Sequence, residues 1–351
     1  METNVLLMAK LIVLVLFWKN VTILMGDPFL PFFGVLDSFR GTPVMGAVRG
    51  LFIAAGIALI FNRYPRACCL CLGSIVILAN VNSKIVFSNH FLIAGCLLFL
   101  AGLHKKDEEP VFIRWQIVIL YLGAFVNKLF EIDWLNGRYF ENWMFARIEH
   151  PQYIWAASFF PDGMLSLIMG WFSIVTELAI MFMLMRKKTF VFGIWLAMLF
   201  HFGMFLVMKG YTFEFFIEML CFSFLAFMKW PNEIQDIKIA ENGFGKTLRA
   251  IVSVFDLDKQ FRLQSLDPNP NGLIAVNLDS PKTTLTGASA ARHILMYSTG
   301  FYIFGYAIFF LLHEILPYPF SAVLSAGYLL LLLILFFPYR NFTATSNAVL
   351  R

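Results

Sequence analysis

Apolar residues fall in long runs along this chain, and charged residues collect between the runs. The runs cover residues 5–25, 44–61, 67–82, 86–103, 113–131, 166–185, 189–208, 211–229, 300–315 and 319–338. Most are close to the roughly 20 residues that a helix needs to cross a hydrocarbon core. The pattern predicts about ten membrane-spanning helices. The first run holds Lys10 and Lys19 and is followed by no small-residue cleavage site, so it reads as a retained span or anchor.

The pattern changes over residues 232–298, where Pro, Asn and Asp appear and short stretches alternate apolar with polar. The expected order is strand Asp236–Ala240, helix Lys246–Phe255, strand Phe261–Leu266 and strand Leu273–Leu278. A turn near Ser280-Pro281 leads into strand Thr283–Leu285 and helix Ala288–Met296. The Asn-Pro-Asn-Gly sequence at 269–272 is a further turn signal. The expected fold is therefore an all-α polytopic membrane protein with a small cytoplasmic α/β domain inserted before the last two helices. Its parts are a transmembrane domain over 1–231, the α/β domain over 232–298, and two helices with a tail over 299–351.

Composition agrees with lipid as the main solvent. Of 351 residues, 60% are hydrophobic, 14% are charged and 17% are aromatic, with 41 Phe. Mean hydropathy is +0.75. Soluble domains carry about 25% charged residues. The formal net charge of +5 comes from short basic clusters between spans, which excludes a nucleic-acid surface as its reason. Arg63 and Arg66 follow the second span, and Lys105, Lys106 and Arg114 flank the gap after the fourth. Arg186, Lys187 and Lys188 follow the sixth, Lys229, Lys238, Lys246 and Arg249 the eighth, and Arg340 the tenth. Every cluster follows an even-numbered span. The positive-inside rule then puts both termini in the cytoplasm and turns the loop 132–165 outward. Arg40, Arg49, Arg138 and Arg147 are exceptions. Compact loops favour a bacterial cytoplasmic membrane.

Candidate chemistry lies in the ionisable residues within spans, which are costly in lipid and usually face the bundle interior. These are Lys128, Glu177, His201, Glu214 and Glu218. Glu214 and Glu218 are one helical turn apart and share a face. Two readings are open. One is a charge and hydrogen-bond cluster that fixes helix packing. The other is an outward-facing polar chamber in which Lys128, freed of its proton, acts as a base. Lys84, Asn89 and His90 are placed at the same mouth. Cys68, Cys69 and Cys71 open a span as small apolar residues, and no Cys/His spacing for zinc, phosphate-cradling Gly loop or His-Glu-x-x-His motif occurs, so no metal is expected. No cofactor follows from these residues.

Residues 116–143 read QIVILYLGAFVNKLFEIDWLNGRYFENW. This segment resembles the signature of the HTTM membrane superfamily, which includes the vitamin K-dependent gamma-carboxylases. That pattern is an apolar helix with Tyr, a small residue and Lys-Leu, then Trp-aliphatic-x-Gly. Here it is carried by Tyr121, Ala124, Lys128, Leu129, Trp134, Leu135 and Gly137. Glu177, the basic turn Arg186-Lys187-Lys188, His201 and Lys229-Trp230-Pro231 continue the likeness, which covers residues 44–231. The resemblance implies that Lys128 helps remove a proton from a lipid-soluble or peptide substrate, with His201 as a second catalytic candidate and Glu177, Glu214, Glu218 and His90 as cavity or charge partners. A quinone or a secreted peptide is the implied substrate, and membrane lipid the implied surroundings. It equally permits a non-enzymatic maturation factor for a secreted peptide. The carboxylases also use a His in an Asn-His-x-Trp-Ser-x-Asp stretch. Here SKIVFSNHF at 83–91 aligns Ser88 and His90 but holds Lys84 or Ile85 at the His position.

The segment 236–298 resembles a second module, the DCC thiol-disulfide oxidoreductases, which open on Asp-Gly-x-Cys-x-x-Cys after a first strand. The matching stretch is Glu241-Asn242-Gly243-Phe244-Gly245-Lys246-Thr247, with Phe244 and Thr247 in place of both cysteines. Leu285 to Ala291 fits that family's turn into its last helix. The resemblance implies a thioredoxin-like domain without thiol chemistry, which needs a thiolate.

Overall fold

The computed structural model describes residues 1–18, 42–82, 89–105, 108–207, 222–228, 230–231, 234–266, 274–279, 282–317 and isolated positions between 320 and 331. The chain forms two compact units, one within Met1–Phe227 and the other within Met228–Asn341.

The first unit is helical. Its long helices are α1 (Thr3–Trp18), α2 (Pro43–Ile60), α3 (Pro65–Asn82), α4 (Asn89–Leu103) and α5 (Val111–Phe130). Short helices come next: α6 (Ile132–Leu135), α7 (Arg138–Glu141), a π-helical turn Asn142–Arg147 and α8 (Pro151–Ala157). Then come α9 (Met164–Met185), α10 (Phe190–Val207) and α11 (Phe222–Leu225). Pro43 and Pro151 start their helices where a missing N–H is harmless.

Three helices, α2, α5 and α9, are long and apolar enough to cross a membrane, and α1, α3, α4 and α10 are shorter apolar helices. Their outer faces are compatible with lipid as the solvent. On α5 the buried side holds Ile113, Ile117 and Tyr121, while the exposed side holds Phe112, Trp115, Ile119 and Leu122. On α9 Phe172 and Val175 are 64% and 58% exposed. A helix in water would turn a polar face outward. Here both faces are apolar, as in a helix between protein and acyl chains. Of the ten expected spans, 5–25, 44–61, 67–82, 86–103, 113–131, 166–185, 189–208 and 300–315 hold helices over their described residues. The runs 211–229 and 319–338 lie largely outside the described residues.

Helices α3 and α4 approach closely through small residues. A Cβ on Gly73 would lie 2.5 Å from the Phe99 backbone nitrogen, and one on Gly102 would lie 2.9 Å from the Arg66 carbonyl oxygen. Small residues at such crossings give van der Waals contact where lipid supplies no hydrophobic driving force. The outward loop expected over 132–165 is mostly helical. Its aromatic content explains this: Trp134, Phe140, Met144, Ile148 and Tyr153 form a buried cluster with Ile174 of α9.

The second unit holds β1 (Gln235–Ala240), α12 (Gly243–Phe255), β2 (Phe261–Leu266), β3 (Ile274–Asp279), β4 (Lys282–Thr286), α13 (Gly287–Tyr297) and α14 (Thr299–Ile315). The sheet order is β2-β1-β3-β4. Strands β1 and β2 are parallel with Ile237 opposite Leu263, while β3 runs antiparallel to both β1 and β4. Ile237 and Ile239 are fully buried, as the alternation requires. Helix α12 begins three residues before the expected Lys246, because Asn242 Oδ1 accepts the Gly245 N–H at 2.7 Å and caps it there. Asp256 ends it by accepting the N–H groups of Gln260 and Phe261 at 2.7 and 2.9 Å. Helix α14, expected as a separate span, belongs to this unit: its Phe301 and Phe304 rings meet Phe255 of α12.

His293 of α13 donates from Nε2 to Gln235 Oε1 of β1 at 2.8 Å, and its ring meets Tyr297. Burial lowers its pKa from 6.5 to about 4. In that window the unfolded chain takes up a proton that the folded unit refuses, so stability falls as pH drops from 6.5 toward about 4. The expected loss is on the order of 2 kcal/mol. Hydrogen exchange of β1 and α13 in the full chain, corrected for intrinsic rates, is expected to show it. His293→Phe should flatten the pH slope.

Candidate functional site

Lys128 lies in the last turn of α5 and Glu177 near the middle of α9. Their side chains are 14% and 7% exposed. Lys128 Nζ donates to both Glu177 Oε1 and Oε2, each at 2.7 Å. The ammonium also lies 4.6 Å from the Trp134 ring centroid, a cation–π distance. A charge in lipid needs compensation from every side it presents, and here carboxylate and indole supply it.

Trp134 is held in place by the residues just after it in the chain. Its ring stacks on Tyr139 at 3.9 Å and meets the Phe140 ring edge-on at 5.3 Å. The chain reverses at Gly137, whose φ of +82° is open to glycine. A Cβ there would also lie 2.6 Å from the Leu167 backbone nitrogen, and one on Gly170 would lie 2.6 Å from the Trp134 carbonyl oxygen. Two glycines on opposite sides thus let the Trp134–Gly137 turn rest directly on the α9 backbone. A hydrogen bond of 2.7 Å between Tyr153 and Ser166 hydroxyls ties α8 to the first turn of α9.

Tyr121 is two helical turns before Lys128 and is buried. Its ring lies 6.0 Å from that of His201, a buried residue of α10, and the Lys128 charge is within coulombic reach of His201. The structure therefore brings Lys128, Glu177 and Trp134 together, with Gly137 turning the chain beside them, and pairs Tyr121 with His201 two helical turns away along α5. His90 is in the first turn of α4. Its neighbour Ile93 accepts from Gln116 at 3.2 Å, and Gln116 is roughly 18 Å down α5 from Lys128. His90 thus belongs to a different level of the bundle. Glu214 and Glu218, with Lys84 and Ser88, lie outside the described residues.

Sequence reasoning missed the burial of two charges. Lys10 of α1 is 3% exposed. Arg114 of α5 pairs with Glu109 at 2.7 Å, and Lys187 meets the other Glu109 oxygen at 3.3 Å. Arg114 is expected at the start of the span 113–131, flanking the gap before it, and it lies in the first turn of α5, but buried. Burial at such a position has no signal in a linear pattern. Among the described residues, no three His, Cys, Asp or Glu side chains are placed to hold a metal ion.

No family model, no curated protein and no solved structure matches this chain.

The pair couples two helices, and removing one partner leaves the other charge buried. Glu177→Ala is expected to cost on the order of 3–5 kcal/mol, read as a lower unfolding midpoint in detergent. The double variant Lys128→Met/Glu177→Leu is expected to recover most of that loss. A double variant no better than the single one would show that the pair is not what couples the helices.

Proposed function

We propose that this is an integral membrane protein similar to the HTTM and gamma-carboxylase-like proteins, and that the Lys128 cluster is its working site. In this reading it has about ten spans in a bacterial cytoplasmic membrane, with both termini in the cytoplasm. The observation that carries it is the meeting of Lys128, Glu177 and Trp134, from three separate segments, at one buried point. The second unit is read as a thioredoxin-like domain of the DCC type. Its βαβ–ββα order with β1 between β2 and β3 supports this. Its helix α12 starts where a redox pair would stand, and Phe244 and Thr247 occupy those places.

The site would act on a lipid-soluble molecule such as a quinone, or on a secreted peptide, by moving a proton. With both Glu177 oxygens at 2.7 Å, Lys128 can pass one proton to Glu177 and become a neutral amine. The amine then takes a proton from the substrate, and the substrate anion forms beside the restored ammonium. Trp134 and Tyr121 keep water from the exchange. In this reading His201, on the α10 side, would receive or return a proton.

A second reading is favoured by one feature of the same geometry. The carboxylate spends both oxygens on Lys128, which suits a closed tie between helices in a non-enzymatic partner of a secreted peptide. Intact-mass comparison of lipids and secreted peptides from cells making wild type, Lys128→Met or Lys128→Arg separates the two. Catalysis predicts loss of a modified species by about 10²–10⁴-fold in Lys128→Met at unchanged protein level. Unchanged product in that variant removes the catalytic role. Loss of a captured but unmodified peptide supports the partner reading.

A further inference from the structure

Helices α12 and α13 leave between them an apolar groove of about 410 Å³, lined by Leu248, Ile251, Val252 and Phe255 on one side and Ala291 and Leu295 on the other. This is within the size range of sites for small apolar ligands. We propose that the groove takes the acyl chain of an anionic phospholipid from the surrounding bilayer. The proposal rests on the reading of α14 as a membrane span.

Three observations point to that occupant. First, the groove ends at Ser298, and α14 starts at the next residue. Phe255, at the same end, packs on Phe301 and Phe304, and a Cβ on Gly300 would lie 2.5 Å from the Phe255 carbonyl oxygen. The groove is thus fastened to the point where the apolar helix begins. A span starting there holds the groove at the membrane surface. Second, the apolar character continues outside the groove. Ile251, Val254 and Leu257 are about half exposed, at a spacing that makes one stripe along and just beyond α12. Such a stripe beside a span suits a helix lying in the interface. Third, α12 and α13 carry no acidic residue, and Lys246 is an exposed cation on α12, while Arg249 is half-buried and donates to the Gln264 carbonyl oxygen of β2 at 3.4 Å. Basic groups beside an apolar face select anionic headgroups over neutral ones. Asp256, just past α12, is occupied by the Gln260 and Phe261 N–H groups.

The test uses the full chain in nanodiscs of phosphatidylglycerol and phosphatidylcholine, with a trace of either lipid bearing a diazirine on its acyl chain. Labelled peptides are mapped by mass spectrometry. The expected result is label within 248–255 and 288–298, stronger from phosphatidylglycerol, in addition to label in α14. Ala291→Trp fills the groove and is expected to abolish the groove label while α14 keeps its own. Lys246→Gln should reduce the preference for phosphatidylglycerol. Label in α14 with none in the groove overturns the proposal and leaves the membrane reading standing. No label in α14 overturns the membrane reading itself. Groove label that persists unchanged in Ala291→Trp, with β1 still protected from hydrogen exchange, also overturns the proposal. So does a benzophenone at position 251 that couples to protein and not to lipid.

Discussion

A lone ammonium or carboxylate inside a bilayer is costly enough that either Lys128 or Glu177 alone would argue against the helix that carries it. Together they can be buried, and only at one separation and one rotation of α5 against α9. The bidentate contact at 2.7 Å fixes both. Everything near it serves the same end. Gly170 lets the Trp134 carbonyl reach the α9 backbone, Gly137 turns the chain, and the Tyr139 and Phe140 rings hold the indole over the ammonium. Apolar helices in lipid have little reason to choose one partner face over another. The ion pair supplies that choice here.

The order of elements is legible in the chain, because period and length suffice for it. Runs of apolar residues become the helices, and alternation between polar and apolar residues becomes strands β1 to β4 within a residue or two of their expected places. The gathering of the site is legible only as a set of candidates. Lys128 and Glu177 are 49 positions apart, and Glu177, Glu214 and Glu218 are equal partners in the linear pattern. Nothing linear says which carboxylate faces the lysine. Lys10 is legible as a charge inside the first expected span, but its partners, far along the chain, are not.

The segment after α5 shows a different limit. Its polar residues make it read as a loop, yet its aromatic residues, spaced at 134, 139, 140, 143 and 153, build a buried cluster that needs helical backbone to close. Charge pattern locates such a segment outside the bilayer core. Aromatic content decides that it is structured. The exposed Phe130, Ile132, Trp155 and Phe159 along it match the aromatic belts found where protein meets headgroups. A folded cap that is apolar outside and packed inside can keep water from Lys128 without leaving the membrane surface.

The α/β unit meets a related constraint. The turn from β1 into α12 is fixed by two local features. Asn242 caps α12, and Gly245 sits so close to the Ala240 carbonyl that any side chain there would collide with it. Those constraints are structural requirements of the strand-to-helix turn. The outer surface of α12 needs a separate reason, because Ile251 and Val254 are about half exposed on it. A domain kept only as a spacer would be expected to shed an exposed apolar stripe, since soluble surfaces rarely tolerate one. Its position next to the first turn of an apolar helix is the reason a lipid neighbour is proposed for the stripe.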